Sequence, residues 1–310
     1  MQSVTVGKLL MTIPVANQLG EGVQWDGARE SIWWTDILSA VIYQFHLPSK
    51  TLTSFPMPHR VGSFGLTIDP NELIVAFDIG IARYHLKHKS IKWLAKPEAH
   101  LAGNRFNDGR TDRQGRFWAG TMVEVRQSSS QSAALYSIDI EGHCQQHISQ
   151  LQISNGLCWS PDGKTMYHAD SPSHTLFQYD FNTLTGKVSN KRVFATTPES
   201  FFPDGAEVDA HGCVWNAHWG GGQVVRYRAD GSVDLTLRLP VTNPTSVAFG
   251  GRDLDLLIIT SAKHALTVEQ LADEPEAGNV FIFQLEHIHG LGSLYCQINA
   301  NLYANADILS

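Results

Sequence analysis

An all-β fold, a six-bladed β-propeller with four antiparallel strands per blade, is predicted by three features of the sequence. One phrase recurs six times, with spacings of 43, 43, 48, 49 and 41 residues between Glu21, Phe64, Asn107, Asn155, Asp204 and Thr245. Each copy alternates apolar and polar residues with a period of two, which is the pattern of strands and not of helices. Each copy is also cut by turn residues at short intervals, and four-stranded propeller blades run about 40–50 residues.

The copies follow in order. Glu21-Gly-Val-Gln-Trp-Asp26 leads to the strand Ser31-Ile-Trp-Trp-Thr-Asp36. Phe64-Gly-Leu-Thr-Ile-Asp69 leads to Glu72-Leu-Ile-Val-Ala-Phe77. Asn107-Asp-Gly-Arg-Thr-Asp112 leads through Gly115 to Arg116-Phe-Trp-Ala-Gly120. Asn155-Gly-Leu-Cys-Trp159 runs into the turn Ser160-Pro-Asp-Gly163, then Thr165-Met-Tyr-His-Ala-Asp170 and Thr175-Leu-Phe-Gln-Tyr-Asp180. Asp204-Gly-Ala-Glu-Val-Asp209 leads through His211-Gly212 to Cys213-Val-Trp-Asn-Ala-His218 and Gln223-Val-Val-Arg-Tyr227. Thr245-Ser-Val-Ala-Phe-Gly250 leads to Asp255-Leu-Leu-Ile-Ile-Thr260. Six copies with short connections predict one closed propeller over residues 1–310, a single domain and not two. Radial closure hides strand edges that would otherwise pair with other chains. The first and last strands are expected to complete one blade together, with Val4-Thr-Val6 and Gly292-Ser-Leu-Tyr-Cys296 as candidates.

Composition narrows the function. Of 310 residues, 43% are hydrophobic, enough for a sizeable core. Basic residues number 23 against 30 acidic, a net charge of −7, and no block of like charges occurs. No nucleic-acid or anionic-membrane partner is expected, since both need a basic footprint. Cys144, Cys158, Cys213 and Cys296 form no C-x-x-C pair. They read as free, mostly buried thiols in a reducing compartment. No signal peptide and no apolar run of about 18 residues is apparent. The expectation is a cytoplasmic protein, a monomer or weak homo-oligomer, with a small-molecule partner.

The innermost strand of each blade lines the central channel, and the repeated position opens that strand. It reads Glu, Phe, Asn, Asn, Asp, Thr, so Glu21, Asn107, Asn155 and Asp204 bring oxygen and amide donors to one end of one channel. A single Asn or Asp beside Gly is commonly a turn residue. That reading weakens when such residues share one phase of a closed repeat. Carboxylates forced together repel unless a proton or a cation joins them. Carboxylates with an amide carbonyl form a hard set suited to Ca²⁺, Mg²⁺ or Mn²⁺, with waters filling open positions. No His or Cys joins by phase, so a structural zinc site is not expected. His168, His211, His218 and His264 form no ligand pair by spacing and read as strand or turn histidines. Gly220-Gly-Gly222 reads as a flexible turn, and Ser128-Ser-Ser-Gln-Ser132 as a surface loop beside the channel mouth, in reach of a lid's role.

Five phrases carry a resemblance: Leu19-Gly-Glu-Gly-Val-Gln-Trp25, Arg105-Phe-Asn-Asp-Gly109, Gly115-Arg-Phe-Trp-Ala-Gly-Thr-Met122, Ser154-Asn-Gly-Leu157 with Ser160-Pro-Asp-Gly163, and Pro203-Asp-Gly205. Together, and in this order, they resemble the regucalcin (senescence marker protein) and gluconolactonase family, six-bladed propellers that hydrolyse sugar lactones. The resemblance implies that Glu21, Asn155 and Asp204 hold one divalent metal ion, Ca²⁺ first, with Zn²⁺, Mn²⁺ or Mg²⁺ as alternatives. It implies that Asp204 is also the catalytic general base and that Arg105, Asn107 and Glu124 contact substrate. The implied reaction is metal-dependent hydrolysis of an aldono-1,4- or 1,5-lactone to the aldonic acid. The rival readings are a calcium-dependent phosphotriesterase or aryl-esterase, and a calcium-binding propeller without catalysis.

Overall fold

The computed structural model describes residues 7–292 and 294–299. They form six four-stranded antiparallel sheets around a channel. In the first five blades the chain runs from the inner to the outer strand in sequence order. Blade one is Gly20–Asp26, Ser31–Asp36, Val41–His46 and Thr51–Pro56. The inner strands of blades two to six are Val61–Leu66, Asn104–Thr111, Ser154–Trp159, Phe202–Val208 and Pro244–Gly250.

Blade six takes its outermost strand from the other end of the chain. Gly7–Ile13 pairs antiparallel with Val280–Leu285, beyond Leu256–Ser261. This corrects the expected closing pair. Val4–Val6 lies outside the described residues, and the described part of Gly292–Cys296 is not a strand. That segment crosses the far face of the ring instead. The His289 carbonyl accepts from Ala210 N–H (2.8 Å), Tyr295 Oη donates to Asp26 (2.7 Å), Cys296 N–H donates to Leu66 O (2.7 Å) and Gln297 N–H to Gly115 O (2.9 Å). One strap therefore touches blades five, one, two and three. It also closes a small cavity of about 60 Å³ at that end, lined by Arg110, Glu207, Leu291 and Leu294.

The core lies between blades. Second strands such as Ser31–Asp36 are buried on both faces, whereas the outer Thr51–Pro56 is largely exposed. Six large apolar clusters each draw on two consecutive blades. One joins Trp25, Trp34 and Val23 of blade one to Ala248, Ile258 and Ile282 of blade six, so the ring is closed by apolar burial as well as by the ladder. The recurring Asp-x-x-Gly turn has a physical cause. Asp112 Oδ1 accepts Gln114 and Arg116 N–H groups at 2.8 and 3.0 Å, and Oδ2 accepts the Trp118 indole N–H at 2.9 Å. Asp209 repeats this with His211, Cys213 and Trp215 at 2.9, 3.0 and 3.0 Å. A buried carboxylate thus fastens each turn and anchors the tryptophan that fills the next inter-blade cluster.

Every inner strand slips register against its second strand near the channel. Counting four residues back from the pairs Trp25↔Ile32, Leu66↔Leu73, Thr111↔Phe117, Trp159↔Met166 and Val208↔Val214 reaches Glu21, Gly62, Asn107, Asn155 and Asp204. Blade two therefore contributes Gly62 and not Phe64, which is wholly buried between blades one and two. The displaced count has a cause. Thr67 caps the blade-two turn through bonds to the carbonyls of Asp69 (3.0 Å) and Glu72 (2.9 Å), the place Asp112 and Asp209 hold elsewhere.

Candidate active site

The chain fixes its channel residues from behind. Asp36, ending the second strand of blade one, accepts Gln18 and Leu19 N–H groups at 2.9 and 3.0 Å, two residues ahead of Glu21. Asp170 does the same in blade four with Gln152 and Ile153, at 3.1 and 2.9 Å, two residues ahead of Asn155. Each bulge then turns its residue into the channel. Gly22 and Gly156, just after Glu21 and Asn155, have φ of 58° and 63°, a left-handed conformation that favours glycine. At Gly62 a Cβ would come within 2.5 Å of the Phe106 carbonyl, so its glycine lets blades two and three meet at the channel.

Glu21, Arg105, Asn107, Glu124, Asn155 and Asp204 all line one cavity of about 440 Å³ at the channel mouth. Their side chains form a chain of bonds. Glu124 accepts Arg105 Nε (2.8 Å) and, on both oxygens, Arg60 (2.9 Å each). Arg105 Nη1 donates to Asn107 Oδ1 (2.8 Å) and to its own neighbour's carbonyl on Phe106 (3.0 Å). Asn107 Nδ2 donates to Asn155 Oδ1 (2.9 Å), and Asn155 Nδ2 to Ser171 Oγ (2.8 Å). Ser171 ends the run by donating to the Pro203 carbonyl (2.7 Å), the residue before Asp204. A displacement at one member is thereby felt across blades three, four and five.

The electrostatics are those of buried carboxylates held together. Burial, and then the Asp108 charge, push Glu21 up to about 8. Burial and then Glu21 and Asp108 push Asp204 well above the usual carboxylate range. Asp204 Oδ1 is buried and has no hydrogen-bond partner among the described residues. Burial raises Glu124 too, but hydrogen bonds and charge from Arg60 and Arg105 outweigh it and hold its carboxyl below the ordinary value. Two carboxylates, one of them with an orphaned oxygen, and an amide oxygen form a donor set that suits a hard divalent cation. Glu21, Asn155 and Asp204 are residues that could hold one.

Three participants were not singled out in the sequence: Asp108, Ser171 and Arg60. Asp108 is buried and accepts Leu157 N–H at 3.1 Å, tying blade three to the bulge that carries Asn155. Its signal was present in Asn107-Asp108-Gly109, where a turn explains the same letters. Of the remaining residues weighed in the sequence, His264 lines the same cavity and the others fall elsewhere. His168 and His218 are buried strand residues bonded to Ser154 Oγ (2.8 Å) and Tyr227 Oη (3.0 Å). The Ser128–Ser132 loop borders a separate surface pocket with His100–Ala102. Asp139, Glu141 and His143 bring donor atoms within 4.8 Å of one another, but they belong to an exposed hairpin turn in which Asp139 already accepts from the His143 backbone (2.8 Å). All four cysteines are free, with Cys144 exposed and the others buried.

Comparison with known proteins bears on this site. The profile of the SMP-30/Gluconolactonase/LRE-like region matches residues 19–263. A 6-deoxy-6-sulfogluconolactonase of Pseudomonas putida is 37% identical over 265 residues, 85% of this chain and 90% of that one. An L-arabinolactonase of Azospirillum brasilense is 34% identical, covering 91% and 93% of the two chains. Among solved structures, a calcium-binding protein, regucalcin, from Agrobacterium tumefaciens superposes with a TM-score of 0.88 at 29% identity, over 95% of this chain and all of that one.

Proposed function

The chain belongs to the SMP-30/Gluconolactonase/LRE-like family, and we propose that it is a hydrolase that opens an aldono-1,4- or 1,5-lactone to the aldonic acid with one divalent cation. The observation that carries this reading is the unpartnered, buried Asp204 Oδ1 beside Glu21 in the cavity. A bound cation would supply a polarised lactone carbonyl and a more acidic water. Glu21, Asn155 and Asp204 would hold it, and Ca²⁺ is the leading choice for their oxygen set.

The chain's own residues do the rest. Asp204 takes the proton from the water that attacks the carbonyl carbon. The bond from that carbon to the ring oxygen breaks, and the ring oxygen leaves as a hydroxyl, taking up the proton that Asp204 accepted. Arg105, pinned by Glu124 and Asn107, keeps Nη2 without a protein partner among the described residues and presents it to a substrate oxygen. Asn107 sets the floor against which the ring rests. Family relatives named as lactonases support the reaction class. A pH-stat screen of aldono-1,4- and 1,5-lactones, run on metal-stripped protein with Ca²⁺, Zn²⁺, Mn²⁺ or Mg²⁺ restored, tests it: acid release is expected only with a cation present. Full activity of Asp204→Ala with cation restored would remove Asp204 from its role.

A further inference from the structure

We propose that the lactone taken by this site ends in an apolar carbon: a deoxy-sugar lactone whose terminal group is methyl in place of hydroxymethyl. This rests on the lactonase reading and concerns the end of the substrate away from the reacting carbonyl.

The cavity has two unlike sides. Its polar groups lie deep, with Glu21, Asn107, Asn155 and Asp204 only 5–8% exposed, and they continue up one side through Arg105 and Glu124 of blade three. The rest of the lining is largely apolar: Met122 of blade three, with Leu19, Leu38, Ile153, Pro172, Phe202 and Trp219 of blades one, four and five. Leu38 and Phe202 remain 36% and 37% exposed, so this wall presents open apolar surface. It is also preformed. Phe202 stacks on His174 with ring centres 4.7 Å apart, and Trp219 rests on Leu19, Ile37 and Ala262.

Little on this side can replace water around a terminal hydroxyl. Ser171 has spent its hydroxyl on Pro203. His264 at the rim and the Trp219 indole are the other polar groups there. An anionic terminus fares no better. Arg60 and Arg105 are matched by Glu124 and Asp78, which leaves no surplus positive charge. A hydroxyl placed against an apolar wall loses its water without a partner, whereas a methyl group gains by burial. A sugar laying only its C–H face on Trp219 would instead be indifferent to the terminal group.

The test is kcat/KM of the cation-loaded full chain on hexono-lactones alike except at the terminal carbon, bearing methyl, hydroxymethyl or sulfomethyl. The methyl lactone is expected to lead the hydroxymethyl one by about 10–100-fold, the range an added hydroxyl brings in an apolar pocket. Phe202→Asn and Leu38→Asn are expected to shrink that preference. Equal rates, or a lead for hydroxymethyl or sulfomethyl, would overturn the proposal while leaving the lactonase reading intact. No opening of any lactone in the series would fell both.

Discussion

Asp108 lines no part of the cavity, yet its charge acts on Glu21 and Asp204, two of the carboxylates that do. Asp108→Asn should weaken cation binding about tenfold, a shift of roughly 1.4 kcal/mol, measured by calorimetry. Glu21 gives a pH dependence with a definite sign. Its folded value of about 8 lies above the ordinary 4.5, so the folded state holds the extra proton between those values. Metal-free protein should therefore lose stability as pH rises from 5 to 8, and added cation should close the gap in melting temperature. His168 works the other way. Burial lowers it from 6.5 to about 3, so its contribution is present above 6.5 and lost as pH falls toward 3. In cation-loaded protein, His168→Gln should lose less stability than the parent between pH 7 and pH 4, as followed by thermal melts. At this scale the sequence was legible where residues shared a phase, as Glu21 and Asn155 do. It was not legible at Asp108, whose letters also spell a turn, or at Arg60, which reaches Glu124 across 64 positions.

The bulge is the element that makes a site out of a strand, and its glycines serve different ends. A Cβ on Gly22 would make only ordinary contacts, with Thr35 and Ser63 at 3.9 and 4.0 Å, but its φ is 58°, so Gly22→Ala should cost about 1–2 kcal/mol of conformational strain, with part returned by Asn. Gly205 is limited by contact, since a Cβ would meet the Ser246 Cα at 2.8 Å. Gly205→Ala should cost about 1–3 kcal/mol through overpacking, and Gly205→Asn should be worse. Urea denaturation of the four variants separates strain from collision. The period of two and the turn residues between runs made the strands readable in advance. Blade two was misphased because Thr67 caps its turn and Asp69 looks like the turn carboxylate, an offset of two residues from Gly62 to Phe64 that leaves a period of two intact.

For the whole molecule, the strap and the ring closure matter more than any one blade. Tyr295 and Cys296 tie the far end of the chain to blades one and two. Truncation after Gly290 should lower the urea midpoint and admit an apolar dye to the channel's far end, as fluorescence would record. The strap escaped the sequence reading because its contacts are backbone bonds and one side-chain bond, Tyr295 to Asp26, that spans 269 positions, and no residue pattern announces either. Closure of the ring carries a consequence for birth as well as for stability. Gly7 finds its partner only at Leu285. While the ribosome works, five blades can zip up as local hairpins, but the first strand waits unpaired, and blades one and five keep bare apolar flanks. A newborn chain is therefore an open crescent until Val280–Leu285 emerges. A message cut short before Val280 would yield an adhesive arc in need of a chaperone, and not a smaller propeller.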